Sequence, residues 1–61
     1  MSERTWWTEK GKTDSYGKQV WISTCLKDPS RMIAYSESYE APTCGHPECK
    51  PKPGEKMVVK D

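Results

Sequence analysis

Lys18-Gln19-Val20-Trp21-Ile22-Ser23-Thr24-Cys25-Leu26 is the stretch on which the reading of this chain turns. β-Branched and aromatic side chains run through it without a Gly or Pro, and such residues suit a pleated surface. Side chains alternate across a strand, so Val20, Ile22, Thr24 and Leu26 fall on one face and Gln19, Trp21, Ser23 and Cys25 on the other. A strand over residues 18–26 is the clearest element in the sequence, and its neighbours are placed outward from it.

Upstream, Arg4-Thr5-Trp6-Trp7-Thr8-Glu9-Lys10 has the same strand-forming character. The two runs are joined by a polar segment bounded by Gly11 and Gly17, which together read as a hairpin. Downstream, Asp28 followed by Pro29 favours a type I turn. Residues 31–36 then return as a third strand, with Ile33 and Tyr35 on one face and Met32 and Ala34 on the other. The same residues admit a helix, with Asp28 as N-cap and Pro29 at the first helical position. Ser30, Ser36 and Ser38 are mediocre helix formers, and the strand is the preferred reading. Residues 40–55 hold Pro42, Pro47, Pro51 and Pro53 with Gly45 and Gly54, a long loop of the kind that is usually functional or pinned. Lys56-Met57-Val58-Val59-Lys60 can close the sheet. The expected fold is a single small all-β or β-rich α+β domain over 1–61. It is an antiparallel meander of three to four strands, near 4–10, 18–26, 31–36 and 56–60, with a long Pro-rich loop.

Size limits what such a fold can do unaided. The chain has 61 residues, is 33% hydrophobic and 31% charged, and contains no Phe. Its mean hydropathy is −1.00. A domain this short buries only about 60% of its extended surface, so a staple is expected: a metal, a disulfide or a partner chain. No window is apolar enough to span a membrane. The polar start, Met1-Ser2-Glu3-Arg4, lacks the apolar run of a signal peptide, so the expectation is a complete cytoplasmic reading frame. There, thiols stay reduced, and three cysteines point to free thiols or metal ligands before disulfides.

The strongest constellation joins Cys25 to Cys44-Gly45-His46-Pro47-Glu48-Cys49, which takes in all three cysteines and the only histidine. Three cysteines and a histidine form a common tetrahedral ligand set for structural zinc. Gly45 and Pro47 let the backbone bend so that Cys44, His46 and Cys49 face one centre, and Cys25 supplies the fourth ligand. Zinc bound there would pin the long loop to the sheet and add folding energy. The alternative is a metal-free chain, with Cys25 a small buried apolar residue and the loop thiols exposed. The Cys-x-His-x2-Cys segment resembles the middle of a RING finger. The flanking cysteine pairs are absent, since Ala41 and Lys52 stand there, so no two-zinc cross-brace and no ubiquitin-ligase role is implied. Four protein ligands leave no place for a catalytic water. A nucleophilic thiol would need a base and a walled pocket, which so short a chain can hardly supply. No enzymatic activity is expected.

A binding surface is sought among the aromatics. Trp6 and Trp7 must point to opposite faces of a strand, and Trp21 lies opposite the Val20/Ile22/Leu26 face. With Tyr16 and the cations Arg4 and Lys18, these three Trp residues are the candidate partner-binding set, because Trp, Tyr and Arg dominate protein hot spots. The same residues would serve a core in a chain so poor in aliphatics. The spacing of Trp6/Trp7, Tyr16 and Trp21 loosely resembles the Trp-containing meander of WW domains, although the terminal Trp-x2-Pro is missing. The expected function is a non-catalytic interaction protein that binds and modulates a larger protein, of a kind frequent among bacteriophage accessory proteins and inhibitors. The alternative is a zinc-stabilised module for single-stranded nucleic acid, which a formal charge of +1 disfavours. A homodimer through open sheet edges is a further option.

Overall fold

The computed structural model describes residues 4–60. Four strands form one sheet: β1 (Thr5–Glu9), β2 (Trp21–Thr24), β3 (Met32–Tyr35) and β4 (Lys56–Lys60). A short 3₁₀ turn covers Pro47–Cys49. The strand reading of 31–36 holds. Arg31 N donates to Asp28 O at 2.9 Å, while Ser30 N and Oγ both donate to Asp28 Oδ1. These bonds close the Asp-Pro turn and send the chain back beside β2. No helix among the described residues is long and apolar enough to cross a membrane.

The purely antiparallel meander is corrected. The strand order is β3-β2-β1-β4, and β4 runs parallel to β1. The reason lies in the long loop. Thr43 N donates to Ala34 O at 3.0 Å and Thr43 Oγ1 accepts from Ala34 N at 3.0 Å, so β3's outer edge is already taken at Ala34. Beyond Thr43 the chain crosses one face of the sheet, where Cys49 is buried with Trp6 and Ile33. It emerges at the β1 edge, and there β4 pairs in parallel from Thr5↔Lys56 to Glu9↔Lys60.

The sheet has one covered face and one open face. The buried hydrophobic cluster is Trp6, Cys25, Ile33 and Cys49, with Trp21, Tyr35 and Cys44 packed against it. Trp6 and Tyr35 meet edge to face, with ring centroids 6.3 Å apart. Small polar side chains complete this face. Ser23 Oγ donates to Thr5 O, and Thr8 Oγ1 donates to Val20 O while accepting from Gln19 Nε2. Every buried side-chain nitrogen and oxygen among the described residues has a partner, as a small core requires.

Strand β2 therefore turns Trp21, Ser23 and Cys25 inward. The face richer in aliphatics, with Ile22, looks outward. Periodicity alone would bury Ile22, but Cys25 must reach the loop thiols, and a strand's period of two then carries Ser23 and Trp21 in with it.

Candidate functional site

The cluster is built by three local devices. Cys25 sits one residue past β2, where its amide donates to Arg31 O at 3.0 Å and holds the mouth of the β2–β3 hairpin. Gly45 takes φ +83°, a left-handed conformation that side-chain-bearing residues disfavour, and its amide donates to Pro42 O at 2.8 Å. That turn reverses the chain between Cys44 and His46. Pro47 then opens the 3₁₀ turn, in which Cys49 N donates to His46 O at 3.0 Å, so Cys49 returns to the side of His46.

The four side chains Cys25, Cys44, His46 and Cys49 converge, with their ligand atoms all within 4.8 Å of one another. Cys25 Sγ lies 3.6 Å from His46 Nδ1 and 3.8 Å from Cys49 Sγ. Zn–S bonds of about 2.3 Å and Zn–N bonds of about 2.0–2.1 Å give tetrahedral edges of about 3.8 Å between sulfurs and about 3.6 Å from sulfur to nitrogen. Both separations therefore match the edges of a zinc tetrahedron. All three thiols are free. The group could bind a metal ion such as zinc, and its soft sulfurs and imidazole suit that choice.

The surroundings favour thiolate at Cys25. Burial opposes its ionisation, but the His46 ring and the amides of Lys27 and Asp28 outweigh it and bring the thiol from 9.0 down to about 6. At Cys49, burial wins and raises the thiol, with the Leu26 amide opposing and the neighbouring thiols adding to the rise. The chain turn at 26–28 thus aims amides at two of the sulfurs, the outer-shell arrangement that stabilises metal thiolates.

Arg4 ties this centre to the sheet. Its guanidinium donates to Glu55 Oε2 at 2.9 Å, Thr24 O at 2.8 Å and Cys49 O at 2.6 Å. It also stacks 4.7 Å from the centroid of the Trp6 ring. Glu55 accepts in addition from Trp6 Nε1 at 3.2 Å and Lys52 N at 2.6 Å. One buried arginine therefore joins β1, the residue before Cys25, the cysteine loop and the turn into β4. Burial would raise the Glu55 carboxyl, but Arg4, the Lys52 amide and Trp6 hold it below its ordinary value.

The aromatic and basic set expected at a binding surface does not form one patch. Trp6 and Arg4 are corrected: both are buried, because the ring packs under the cysteine loop and the guanidinium satisfies carbonyls there. Trp21 is half-buried against the core on the covered face. Tyr16 is 76% exposed at the tip of the β1–β2 connection. Lys18 lies nearby, with Nζ 3.9 Å from Glu37 Oε2. Trp7 alone of the three tryptophans is on the open face. There it stands in register with Ile22 on one side and Val58 on the other, and Ile22 with Ala34. Val58–Trp7–Ile22–Ala34 is thus one apolar row across all four strands, and none of its members joins the buried cluster. Ile22 and Val58 were not expected in a binding surface. The signal was present in the parity of β2: once Cys25 is inward, Ile22 is outward. Glu55 and Asp14 were missed as well, and only the loop chemistry around Asp14 hinted at it.

No protein family, no curated protein and no solved structure matches this chain significantly.

Proposed function

We propose that this chain is a non-catalytic interaction protein, closed by a structural zinc ion, that binds a larger protein through the open face of its sheet. The observation that carries the proposal is the apolar row Val58–Trp7–Ile22–Ala34, which crosses all four strands in register. An antiparallel pair commonly leaves one face solvated and polar. Here the open face carries a half-buried Trp at its centre, the side chain most enriched in protein hot spots, with Val58 exposed beside it. Met32, more than half exposed, extends the row's edge beside Thr24.

Zinc fits the role of staple. The four ligands would fill its tetrahedron and leave no position for a reacting water. The only histidine and all three thiols converge on that one point, so a bound zinc would leave no thiol–imidazole pair for chemistry of its own. A module of this kind acts on its partner by occupying a surface, as an accessory or inhibitory protein does.

The test is capture of a partner from cell extract by the zinc-loaded chain. Capture should be lost in Trp7→Ala and Ile22→Ser and retained in Tyr16→Ala, with melting temperatures of all three close to that of the parent. Capture indifferent to Trp7 and Ile22 refutes the face as the binding surface.

A second reading has one observation in its favour. Lys60 Nζ stands 5.5 Å from the Trp7 ring centroid, and a cation beside an aromatic on an open sheet face is what a single-stranded nucleic acid uses. Counterion release would make such binding fall steeply with salt. The near-neutral charge favours the protein partner.

A further inference from the structure

β4 presents an open edge. Lys56 N donates to Arg4 O and Lys60 O accepts from Lys10 N, so residues 56, 58 and 60 turn their backbone groups toward β1. Alternation then turns the N–H and C=O of Met57 and Val59 outward. Among the described residues nothing hydrogen-bonds to that side, whereas on the opposite edge of the sheet Thr43 occupies the outward backbone groups of Ala34. All five residues of β4 are exposed, Val59 to 57%. Such an edge is a template for another strand.

We infer that an extended segment of the partner adds to β4 as a fifth strand, with acidic residues opposite Lys56 and Lys60 and β-branched or apolar residues between them. This deepens the interaction role proposed above and rests on it. Charge selects the occupant. Lys56 and Lys60 lie on the open face, on either side of Val58, and neither enters an ion pair among the described residues. Glu9 is in register with Lys60 and Thr5 with Lys56, so the edge as a whole stays basic. Opposite charges directly across a ladder stabilise pairing and like charges oppose it. A second copy docked antiparallel about Val58 would set lysine against lysine at both ends, so the lysines guard against self-pairing while admitting an acidic strand.

The other face of the edge supplies a seat for side chains. Met57 lines a cleft of about 300 Å³ whose remaining walls are Trp21, Tyr35, Pro51, Lys50 and Glu37. A partner side chain paired opposite Met57 projects to that face. The added strand would therefore continue the Val58–Trp7–Ile22–Ala34 row on one side and offer an apolar group to the cleft on the other.

The test uses two labelled synthetic peptides, one with Glu-Val-Thr-Val-Glu and one with Lys-Val-Thr-Val-Lys, each between Gly-Ser ends, with the full zinc-loaded chain. The acidic peptide should bind at least about tenfold more tightly. The double variant Lys56→Glu/Lys60→Glu should reverse that preference. Val59→Pro removes an outward N–H without touching the β1 ladder, so it should abolish binding with zinc content and melting temperature unchanged. Equal binding of both peptides, binding of neither, or a concentration-dependent dimer dispersed by Val59→Pro each overturns the inference. If partner capture still depends on Trp7 in those cases, the face reading survives and only the edge assignment fails; capture that ignores Trp7 removes the reading beneath it.

Discussion

Cys25 and Cys49 are 24 positions apart in the chain, yet their sulfurs meet at 3.8 Å inside the core. Both belong to the small set of buried hydrophobic residues, alongside one Trp and one Ile. Half of that set is thus made of thiols, which contribute little burial and would instead give their stabilisation through a bound ion. On the proposed zinc reading, the fold and the Cys25/Cys44/His46/Cys49 cluster are for this reason one energetic unit.

Metal removal should then unfold the chain. A domain of this length is expected to be stable by roughly 3–9 kcal/mol, whereas apparent binding energies of structural zinc in small domains are about 10–16 kcal/mol. Excess chelator at neutral pH should abolish the cooperative melt and the dispersed amide spectrum, and zinc should restore both. Cys49→Ser should behave like the chelated parent. A chelated chain that keeps its cooperative melt would show that the core holds without the ion.

The Arg4–Glu55 pair should be a point of failure. Both side chains are nearly sealed from solvent, and removing one member of a buried pair costs about 3–5 kcal/mol. Arg4→Ala also strips donors from Thr24 O and Cys49 O. Urea unfolding of zinc-loaded Arg4→Ala should show a loss of that size, and Arg4→Met/Glu55→Gln should recover part of it. A loss below about 1 kcal/mol would reduce the pair to a surface contact.

The two adjacent tryptophans should separate stability from binding. Trp6→Ala empties a fully buried site and should cost about 3–5 kcal/mol. Trp7→Ala removes a half-buried ring on the open face and should cost less, about 1 kcal/mol, within the range of ordinary substitutions. Equal losses would mean that both rings belong to the core.

Asp14 should act as an acid-side anchor. The Ser36 hydroxyl donates to it, as do the amides of Tyr16 and Lys18, so the carboxyl is lowered from 3.8 to about 2. A carboxyl lowered on folding contributes stability that is whole above its unfolded value and is lost as pH falls through the folded one. The melting-temperature gap between the parent and Asp14→Asn should therefore stay constant from about pH 8 to about pH 5. A gap that changes across the neutral range would place the titration elsewhere.

Much of the site was legible before the fold was. A Cys, a Cys-x-His-x2-Cys segment and a shortage of aliphatics together name a ligand set, because ligand chemistry depends on residue type and on local bends at Gly45 and Pro47. The Asp28-Pro29 turn and the strands on either side were legible for the same local reason. Which face of β2 is buried was misleading, because the aliphatic stripe and the Cys25 position demand opposite parities, and the ligand prevails. The binding set around Trp6 and Arg4 was misread, since nothing local tells a buried cation from an exposed one.

The sequence by itself determined what acts over a few residues: strand period, turns, the reach of the cysteine loop and the kinds of ligand it carries. Only the tertiary structure decided that β4 lies parallel to β1, that Trp7 faces out while Trp6 faces in, and that Glu55 meets Arg4. Those outcomes depend on where a long crossing loop lands, which is set by closure of distant contacts that no short window of residues contains.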